Sequence, residues 1–583
     1  MSESPLFVQA RSWRDHDPDP TTRRELSALL DAGAGAELAE RFAASLEFGT
    51  AGLRGILGGG TNRMNRAVVR RTTAGLARYL LDVVPEVRER GVVIGRDGRR
   101  LSPELAEDTA GVLMAHGIPA LYFEAMVPTP VTAFATLHLG AAAAVMVTAS
   151  HNPPEYNGYK VYWGNGAQII PPHDQGIAAA IDAVGPADEV PLLTVDEGRR
   201  RGLYRSLGSA VERAYLDAIL ALRLHRRDAD RLTIVYTAMH GVGGRFVEAA
   251  LGEAGFSRLH LVAEQQQPDG AFPTVRFPNP EEPGAMDRAT ALAEGEGADL
   301  VLANDPDADR LAVMARDGDG RLRHLSGNEV GVLLGHYVLT QSPGIERPLL
   351  ITSIVSSPQL GEICRELGAL YDETLTGFKW IGNRALERQA GEGANFLFGY
   401  EEALGYTVGT VARDKDGVGA ALCFADLAAW CLARGTTVPG YLEEIQRRHG
   451  LFVAAQRSFT FPGSEGQAAM RGIMEGFRAA PPSRFGDHLV EETLDYQRGE
   501  ATCGGEVRRL SLPLANVIAY RLAGGSRITL RPSGTEPKIK YYFELRGDFA
   551  AGESLAEARR RAESRLGALA DSFLAAARER GQQ

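Results

Sequence analysis

Short apolar runs bounded by glycine and polar residues alternate with amphipathic stretches along most of the chain. Gly91-Val-Val-Ile-Gly-Arg96 reads as a buried strand, followed by a helix over about 102–116. The same order returns at Leu232-Thr-Ile-Val-Tyr236, with a helix over about 245–254, and at Leu349-Leu-Ile-Thr-Ser-Ile354, with a helix over about 357–367. Each helix ends at or near a glycine (Gly117, Gly255, Gly368), as expected of a C-terminal cap. A second short strand is predicted near 120–123, 259–262 and 369–371, and a third at 143–147, 299–303 and 395–398. A fourth apolar segment follows at 159–162, 311–314 and 406–411. Three rounds of one order predict three α/β units of similar topology, with equivalent strand ends facing one site.

The two ends of the chain depart from that order. Residues 21–46 place Leu26, Leu29, Leu30, Leu38, Phe42 and Leu46 at helical spacing, which predicts a polar helical lead-in. Beyond about Gly450 the runs become shorter and alternate, with strands predicted at 509–514, 516–522 and 526–530. An amphipathic helix over about 553–579 closes the chain, with Leu555, Ala562, Leu566, Leu569 and Phe573 on one face. The predicted division is 1–205, 206–325 and 326–450 for three α/β domains and 451–583 for an α+β domain.

Composition narrows the class. The 583 residues are enough for roughly four domains of about 150 residues. Apolar residues make up 44% and charged residues 23%, the balance of a soluble globular protein. The net charge of −11 argues against a nucleic-acid binder, so cations that meet an anionic substrate must be gathered in a cleft. Cys364, Cys423, Cys431 and Cys503 lack metal-ligand spacing and read as reduced thiols of a cytoplasmic protein. The N-terminus lacks a signal-peptide core, and no apolar run approaches the ~18 residues that span a membrane.

The third strand of each unit runs into a dense polar stretch: Ser150-His-Asn, Asp305-Pro-Asp-Ala-Asp-Arg310 and Glu401-Glu402. Reactive groups gather at the carboxyl ends of strands in open α/β sheets, so Ser150 is a candidate nucleophile. A polar turn that ends a strand accounts for the same residues. Alternation in an extended loop would point Asp305, Asp307 and Asp309 the same way, and oxygen-only ligands favour magnesium or calcium. A solvated acidic turn is the alternative. An EF-hand is excluded, because Arg310 and Arg316 stand at loop positions six and twelve.

A serine-hydrolase elbow is also excluded, since Thr148 and Asn152 stand where glycines are needed. Side chains of adjacent residues tend to diverge, which makes His151 a poor base for Ser150. Gly241-Val-Gly-Gly244 lacks the last glycine of a dinucleotide fingerprint, and no Walker A sequence is present. Phe48-Gly-Thr-Ala-Gly-Leu-Arg-Gly55 pairs permissive glycines with the fixed charge of Arg54 and suits an anion, or a flexible surface loop. Arg531-Pro-Ser-Gly-Thr535 has the makeup of a phosphate grip: a bidentate guanidinium, the hydroxyls of Ser533 and Thr535, and Gly534 for close approach. Lys538 and Lys540 add charge, and an ordinary Pro-Ser-Gly turn remains open. Lys160, Lys379 (after Gly377) and Lys415 each sit in a glycine-flanked polar context, as an acid, a base, a phosphate contact or a surface charge.

Taken together, Thr148-Ala-Ser-His-Asn-Pro153, Asp305-Pro-Asp-Ala-Asp-Arg310, Glu401-Glu402 and Arg531-Pro-Ser-Gly-Thr535 resemble the α-D-phosphohexomutase superfamily, in its order and over nearly the whole chain. The resemblance implies three similar α/β domains with mixed sheets and a C-terminal α+β phosphate-binding domain around a central cleft. It implies an intramolecular phosphotransferase that interconverts glucose 1-phosphate and glucose 6-phosphate through a phosphoserine at Ser150 and a sugar bisphosphate. Mannose or pentose phosphates are the alternative substrates, and a non-catalytic sugar-phosphate-binding regulator is the remote one.

Asp305, Asp307 and Asp309 would hold Mg²⁺, with the phosphoserine at Ser150 completing the coordination, Arg54, Lys160 and Arg310 near the transferring group, and His151 shaping the loop or touching phosphate. Glu401 would meet the sugar hydroxyls and Arg531, Ser533, Gly534 and Thr535 the existing phosphate, with Gly377, Lys379 and Lys538 as further substrate-binding residues. A sugar 1,6-bisphosphate would serve as activator, and the partners would be small-molecule sugar phosphates, with no nucleic acid or membrane, for a monomer or homodimer.

Phe48-Gly-Thr-Ala-Gly-Leu-Arg-Gly55, Thr61-Asn-Arg-Met-Asn65, Phe272-Pro-Thr-Val275, Phe277-Pro-Asn-Pro-Glu-Glu282 and Glu401-Glu-Ala-Leu-Gly-Tyr406 are similar to the phosphoglucomutase-2/phosphopentomutase-like branch. Ala403 replaces a serine of the commoner pattern, and no histidine follows that loop, which shifts the acid/base role toward Lys415.

Overall fold

Strand pairing follows the hydrophobic runs. The computed structural model describes residues 4–47, 52–461, 463–532 and 538–581. In the first sheet Val92–Arg96 lies between Ala120–Phe123 and Ala143–Val147, parallel to both, and Tyr156–Trp163 is antiparallel to Ala143–Val147. Leu53–Ile56 and Tyr204–Leu207 add the two edges. The second sheet repeats the plan with Thr233–Thr237 between Arg258–Leu261 and Leu300–Ala303, then Ala312–Arg316 antiparallel and Leu322–Leu325 at the edge. The third has Pro348–Ser353 between Leu370–Thr374 and Asn395–Glu401, then Gly405–Val408 antiparallel. All three are mixed sheets in which the third strand ends beside the first, so loops at 148, 304 and 402 leave equivalent edges.

The differences from the sequence reading have local causes. Each unit carries a further helix before its third strand: Thr129–His138, Asp287–Glu296 and Phe378–Glu392. Thr129–His138 is buried along most of its length, so it lacks the polar stripe that marks a surface helix. The lead-in at 21–46 is two helices, Pro20–Asp31 and Gly35–Phe42, broken at Gly33, whose φ of 63° is left-handed. A strand at 509–514 does not form. The strand there is Glu506–Arg509, and the segment beyond it is irregular through Pro513, which lacks a backbone donor, while Leu510 and Leu512 pack beside Leu494 and Tyr496.

The C-terminal part is an antiparallel sheet in the order Leu451–Thr460, Lys538–Gly547, Ser526–Pro532, Ile518–Leu522, His488–Asp495, Glu500–Cys503 and Glu506–Arg509, with Arg484–Phe485 paired to His488–Asp495. Helices Gly463–Ala479 and Leu555–Gly581 cover it, and Phe573 stacks on Phe477 with ring centres 5.1 Å apart. Between the units runs Gly417–Ala433, apolar on every side and almost wholly buried, as such a helix must be. Among the described residues no single helix is long and apolar enough to cross a membrane.

Candidate active site

Ala143–Val147 is fully buried and delivers Ser150 to the end of the first sheet. Ser150 has a φ of 51°, left-handed and uncommon for a residue with a side chain. Its amide donates to Thr148 Oγ1 at 2.9 Å, and that hydroxyl donates to Asp97 Oδ2 at 2.7 Å. Ser150 Oγ donates to Asp305 Oδ2 at 2.7 Å, which joins the candidate nucleophile of the first unit to the aspartate loop of the second. His151 Nδ1 lies 3.1 Å from Oγ. The two side chains therefore meet instead of diverging, because the left-handed turn at Ser150 swings them to one side. Burial, with Arg310 and Arg54 adding to it, drives the His151 pKa well below its usual value, so the ring is neutral.

Asp305, Asp307 and Asp309 are buried, and one oxygen from each lies within 4.8 Å of the others. They converge through a turn, with Ala308 at φ 53°, and not through an extended loop. Lys160 Nζ, from the fourth strand of the first unit, is 2.8 Å from both Asp307 Oδ2 and Asp309 Oδ2. Lys415 Nζ, from the third unit, is 3.2 Å from Asp309 Oδ2 and 3.2 Å from Asp414 Oδ1. Burial and the other two aspartates push the Asp305 pKa well above the carboxylate range. Burial also opposes charge at Asp309, but Lys160, Lys415 and Arg310 outweigh it and hold that carboxylate below the usual range. Asp307 is held low in the same sense, with Asp309 opposing and Lys160 and Thr129 favouring its charge.

Asp307 Oδ1 and Asp309 Oδ1 are buried with no hydrogen-bond partner among the described residues. Buried acceptors left this way are costly, and a hard divalent cation satisfies several at once. The trio is the one group of three or more potential metal ligands among the described residues, and its all-oxygen chemistry fits such an ion.

Arg54 Nη1 donates to Asn152 Oδ1 at 2.7 Å, and burial lowers its pKa to about 10. Arg310 donates its amide to Asp305 Oδ1 at 3.0 Å, bridges to Gly405 of the third unit, and faces Glu281 at 3.6 Å. Glu401 ends the strand Asn395–Glu401 and accepts from the Gly377 amide at 2.6 Å. Burial raises the Glu401 pKa, against Lys415. Glu402 turns away toward Ser353 and Ser356, at 3.2 Å each. Asp414 ties the third unit to the first by accepting from Tyr162 and Gln168, both at 2.6 Å.

Lys379 is the weakest member of the predicted set. Its ammonium is 5.4 Å from the Trp380 ring, burial lowers its pKa, and it forms no ion pair among the described residues. Arg531 lies near the end of Ser526–Pro532 and Lys538 begins Lys538–Gly547, and Ser533, Gly534 and Thr535 lie outside the described residues. A cavity of about 620 Å³ separates this sheet from the second and third units, lined by Glu281, Asn328, Glu402, Tyr542 and Glu544 among others.

Sequence reasoning passed over Arg99, Thr129 and Asp414. Arg99 donates to the Ser150 carbonyl, and Thr129 to the Asp307 carboxylate. A signal existed for the first, because Asp97 and Arg99 follow a buried strand as Asp305 and Arg310 do.

Four family models match the chain in order: phosphoglucomutase/phosphomannomutase alpha/beta/alpha domain I over 45–187, domain II over 213–318, domain III over 326–448, and the C-terminal domain over 495–562. The "Probable phosphomannomutase" of Haemophilus influenzae is 40% identical, across 83% of this chain and 93% of its own. The "Phosphopentomutase" of Mus musculus is 35% identical, across 93% of this chain and 90% of its own. The crystal structure of a phosphoglucomutase/phosphomannomutase family protein from Burkholderia thailandensis superposes with a TM-score of 0.63 at 22% identity, over 90% of this chain and 97% of that one.

Proposed function

The chain belongs to the phosphoglucomutase/phosphomannomutase family, and on that premise we propose that Ser150 carries the phosphoryl group of a mutase acting on glucose 1-phosphate and glucose 6-phosphate. The protein is a phosphosugar mutase, an isomerase of the intramolecular phosphotransferase kind. The observation that carries the site assignment is the 2.7 Å contact of Ser150 Oγ with Asp305 Oδ2, inside a buried group of three aspartates and two lysines.

The family resemblance implies the reaction, and the arrangement supports it. The phosphoryl group leaves Ser150 Oγ as its new P–O bond to a free sugar hydroxyl forms, and the hydroxyl proton ends on Ser150 Oγ. The product is a sugar bisphosphate. After it turns round, Ser150 takes the other phosphoryl group back, so the same bisphosphate also primes the enzyme. Mg²⁺ held by Asp305, Asp307 and Asp309 would offset phosphoryl charge. Lys160, Arg54 and Arg310 add fixed positive charge where a phosphoryl group on Ser150 would sit, and Lys415 holds Asp309 from the sugar side. Glu401, with Gly377, faces the sugar, and Arg531 with Lys538 meets the phosphate that stays behind. Positioning and charge supply most of the rate in such transfers.

A second reading, a pentose phosphate, is favoured by the Mus musculus relative named phosphopentomutase and by Ala403, where a sugar-contacting serine is commoner. Coupled assays with glucose 1-, mannose 1- and ribose 1-phosphate, each with Mg²⁺ and catalytic bisphosphate, separate these readings. A clear preference for ribose 1-phosphate overturns glucose as the substrate. Ser150→Ala should abolish turnover and the substrate-labile phosphate seen by intact-mass analysis; turnover that survives would refute the carrier assignment.

A further inference from the structure

The Ser150 loop is held from behind by one side chain. Arg99, 2% exposed, aims its guanidinium at four backbone carbonyls of that loop. Nη2 donates to Ser150 O and Asn152 O, both at 2.5 Å. Nη1 donates to Pro153 O at 2.9 Å and Tyr156 O at 3.2 Å. Nε stands 3.3 Å from Asp97 Oδ2, the oxygen that also receives the Thr148 hydroxyl. The guanidinium is thus used against the loop and a single carboxylate, with no hydrogen bond or ion pair to the aspartate trio among the described residues.

The second unit covers this arrangement. The Phe272 ring lies 5.0 Å from the Arg99 guanidinium carbon. Gly270 packs so tightly that a Cβ there would fall 2.7 Å from Gly98 O and 2.9 Å from Arg99 Cα. The loop is therefore pinned from the first unit and capped by the second. Left-handed backbone at a residue such as Ser150 persists only where its surroundings over-determine it. Arg99 fixes the Ser150 carbonyl and Thr148 the Ser150 amide, and from that backbone Oγ reaches Asp305 Oδ2 at 2.7 Å, with His151 Nδ1 at 3.1 Å. A lysine could not replace this fork, since a single ammonium cannot span four carbonyls.

We propose that Arg99 is a positioning residue for phosphoryl transfer, setting the approach of Ser150 Oγ, and that Phe272 of the second unit holds Arg99 in place. This rests on Ser150 as the phosphoryl carrier. Among the described residues Arg99 has no hydrogen bond or ion pair to Asp305, Asp307 or Asp309, so its loss should act on the chemical step and spare binding.

The test compares Arg99→Lys, Phe272→Ala and Phe272→Tyr with wild type and Ser150→Ala in steady-state kinetics, in single-turnover transfer from phosphorylated enzyme to sugar monophosphate, and in thermal unfolding. Arg99→Lys should lower kcat and the single-turnover rate alike by about 100-fold, the scale of a small misplacement of a reacting atom, with KM within about threefold of wild type. Phe272→Ala should lose about tenfold in the same rates and Phe272→Tyr, which keeps the ring, should restore them. Rates within threefold of wild type in Arg99→Lys overturn the proposal. So does a loss of kcat matched by a rise in KM and a collapse of the unfolding midpoint, the signature of a structural role alone. Should Arg99→Lys fail to fold, the Phe272 pair decides: equal rates in Ala and Tyr overturn it. An active Ser150→Ala instead refutes the carrier reading, whereas an inactive one beside an unaffected Arg99→Lys refutes only the role of Arg99.

Discussion

Thr129 grips Asp307 twice: its backbone N–H donates to Asp307 O at 2.9 Å and its hydroxyl to Asp307 Oδ2 at 2.6 Å. The grip crosses from the first unit to the second, since Thr129 begins the helix Thr129–His138. With Oδ2 engaged by Thr129 and Lys160, Asp307 Oδ1 is left buried without a hydrogen-bond partner among the described residues. Thr129→Val keeps the shape and the backbone contact and removes the hydroxyl. Groups that orient a metal-binding carboxylate typically matter 10- to 100-fold in metal affinity, so half-saturation by Mg²⁺ should rise by about tenfold. A Mg²⁺ titration of activity measures this, and an unchanged half-saturation would remove Thr129 from the metal site.

Lys415 bridges Asp309 and Asp414 across units two and three. Burial disfavours its charge, but Asp309, Asp414 and Glu401 outweigh burial and raise its pKa. The raised pKa disfavours Lys415 as a general base and favours an ammonium that supplies fixed charge. Lys415→Met should lower kcat by about 100-fold or more, as removal of one electrostatic contact in an active site does. Lys415→Arg should recover part of that loss. Equal activity in the Met and Arg variants would show that charge at this position is immaterial.

Much of this site was legible because the chain repeats its plan. Ser150 and the aspartates follow buried strands at equivalent places, and alternation along the chain marked those strands. What eluded sequence reasoning depends on distance in space. Arg99 and Ser150, Thr129 and Asp307, and Lys415 and Asp309 meet only after sheets pack, and no local pattern encodes such pairs. The contact between Ser150 and His151 was misjudged for a backbone reason, since the general divergence of neighbouring side chains fails at a left-handed φ. Helix Thr129–His138 escaped notice because it is buried along most of its length, which erases the periodicity that reveals a helix.

Glu544 should give the joint between the third and fourth units a pH dependence. It is 4% exposed, Asn328 Nδ2 donates to its Oε1 at 3.0 Å, and Oε2 has no partner among the described residues. Burial raises its pKa to about 8, against the pull of Arg527. A carboxyl whose folded pKa lies above its unfolded value binds its proton more tightly when folded. Its stabilisation is therefore complete below about pH 4.5 and is lost as pH rises through about 8, a change of about 3–5 kcal/mol. Glu544→Gln should flatten that dependence, so the unfolding midpoint of wild type should fall more than that of the variant between pH 5 and pH 8.5 in scanning calorimetry. Parallel pH profiles would count against a raised Glu544.

Gly417 of the third unit packs directly against the aspartate loop. Its amide donates to Ala308 O at 3.2 Å, and a Cβ would fall 2.3 Å from Arg310 O, 2.7 Å from Asn304 Nδ2 and 2.8 Å from Ala308 O. Two of these neighbours are loop backbone, which cannot yield as a flexible side chain would. The helix that Gly417 begins cannot retreat, because it is buried on all sides. The added methyl must therefore displace the loop that holds Asp305, Asp307 and Asp309. Gly417→Ala should cost about 1–3 kcal/mol of stability by overpacking and raise the Mg²⁺ concentration needed for activity. Gly391→Ala is the control, since Gly391 lies in helix Phe378–Glu392 with nothing within 4 Å of a new Cβ. That change should be neutral or stabilising by up to about 1 kcal/mol, with unaltered metal dependence. A Gly417→Ala enzyme whose Mg²⁺ dependence matches wild type would show that the loop tolerates the shift and that its geometry is not set from the third unit.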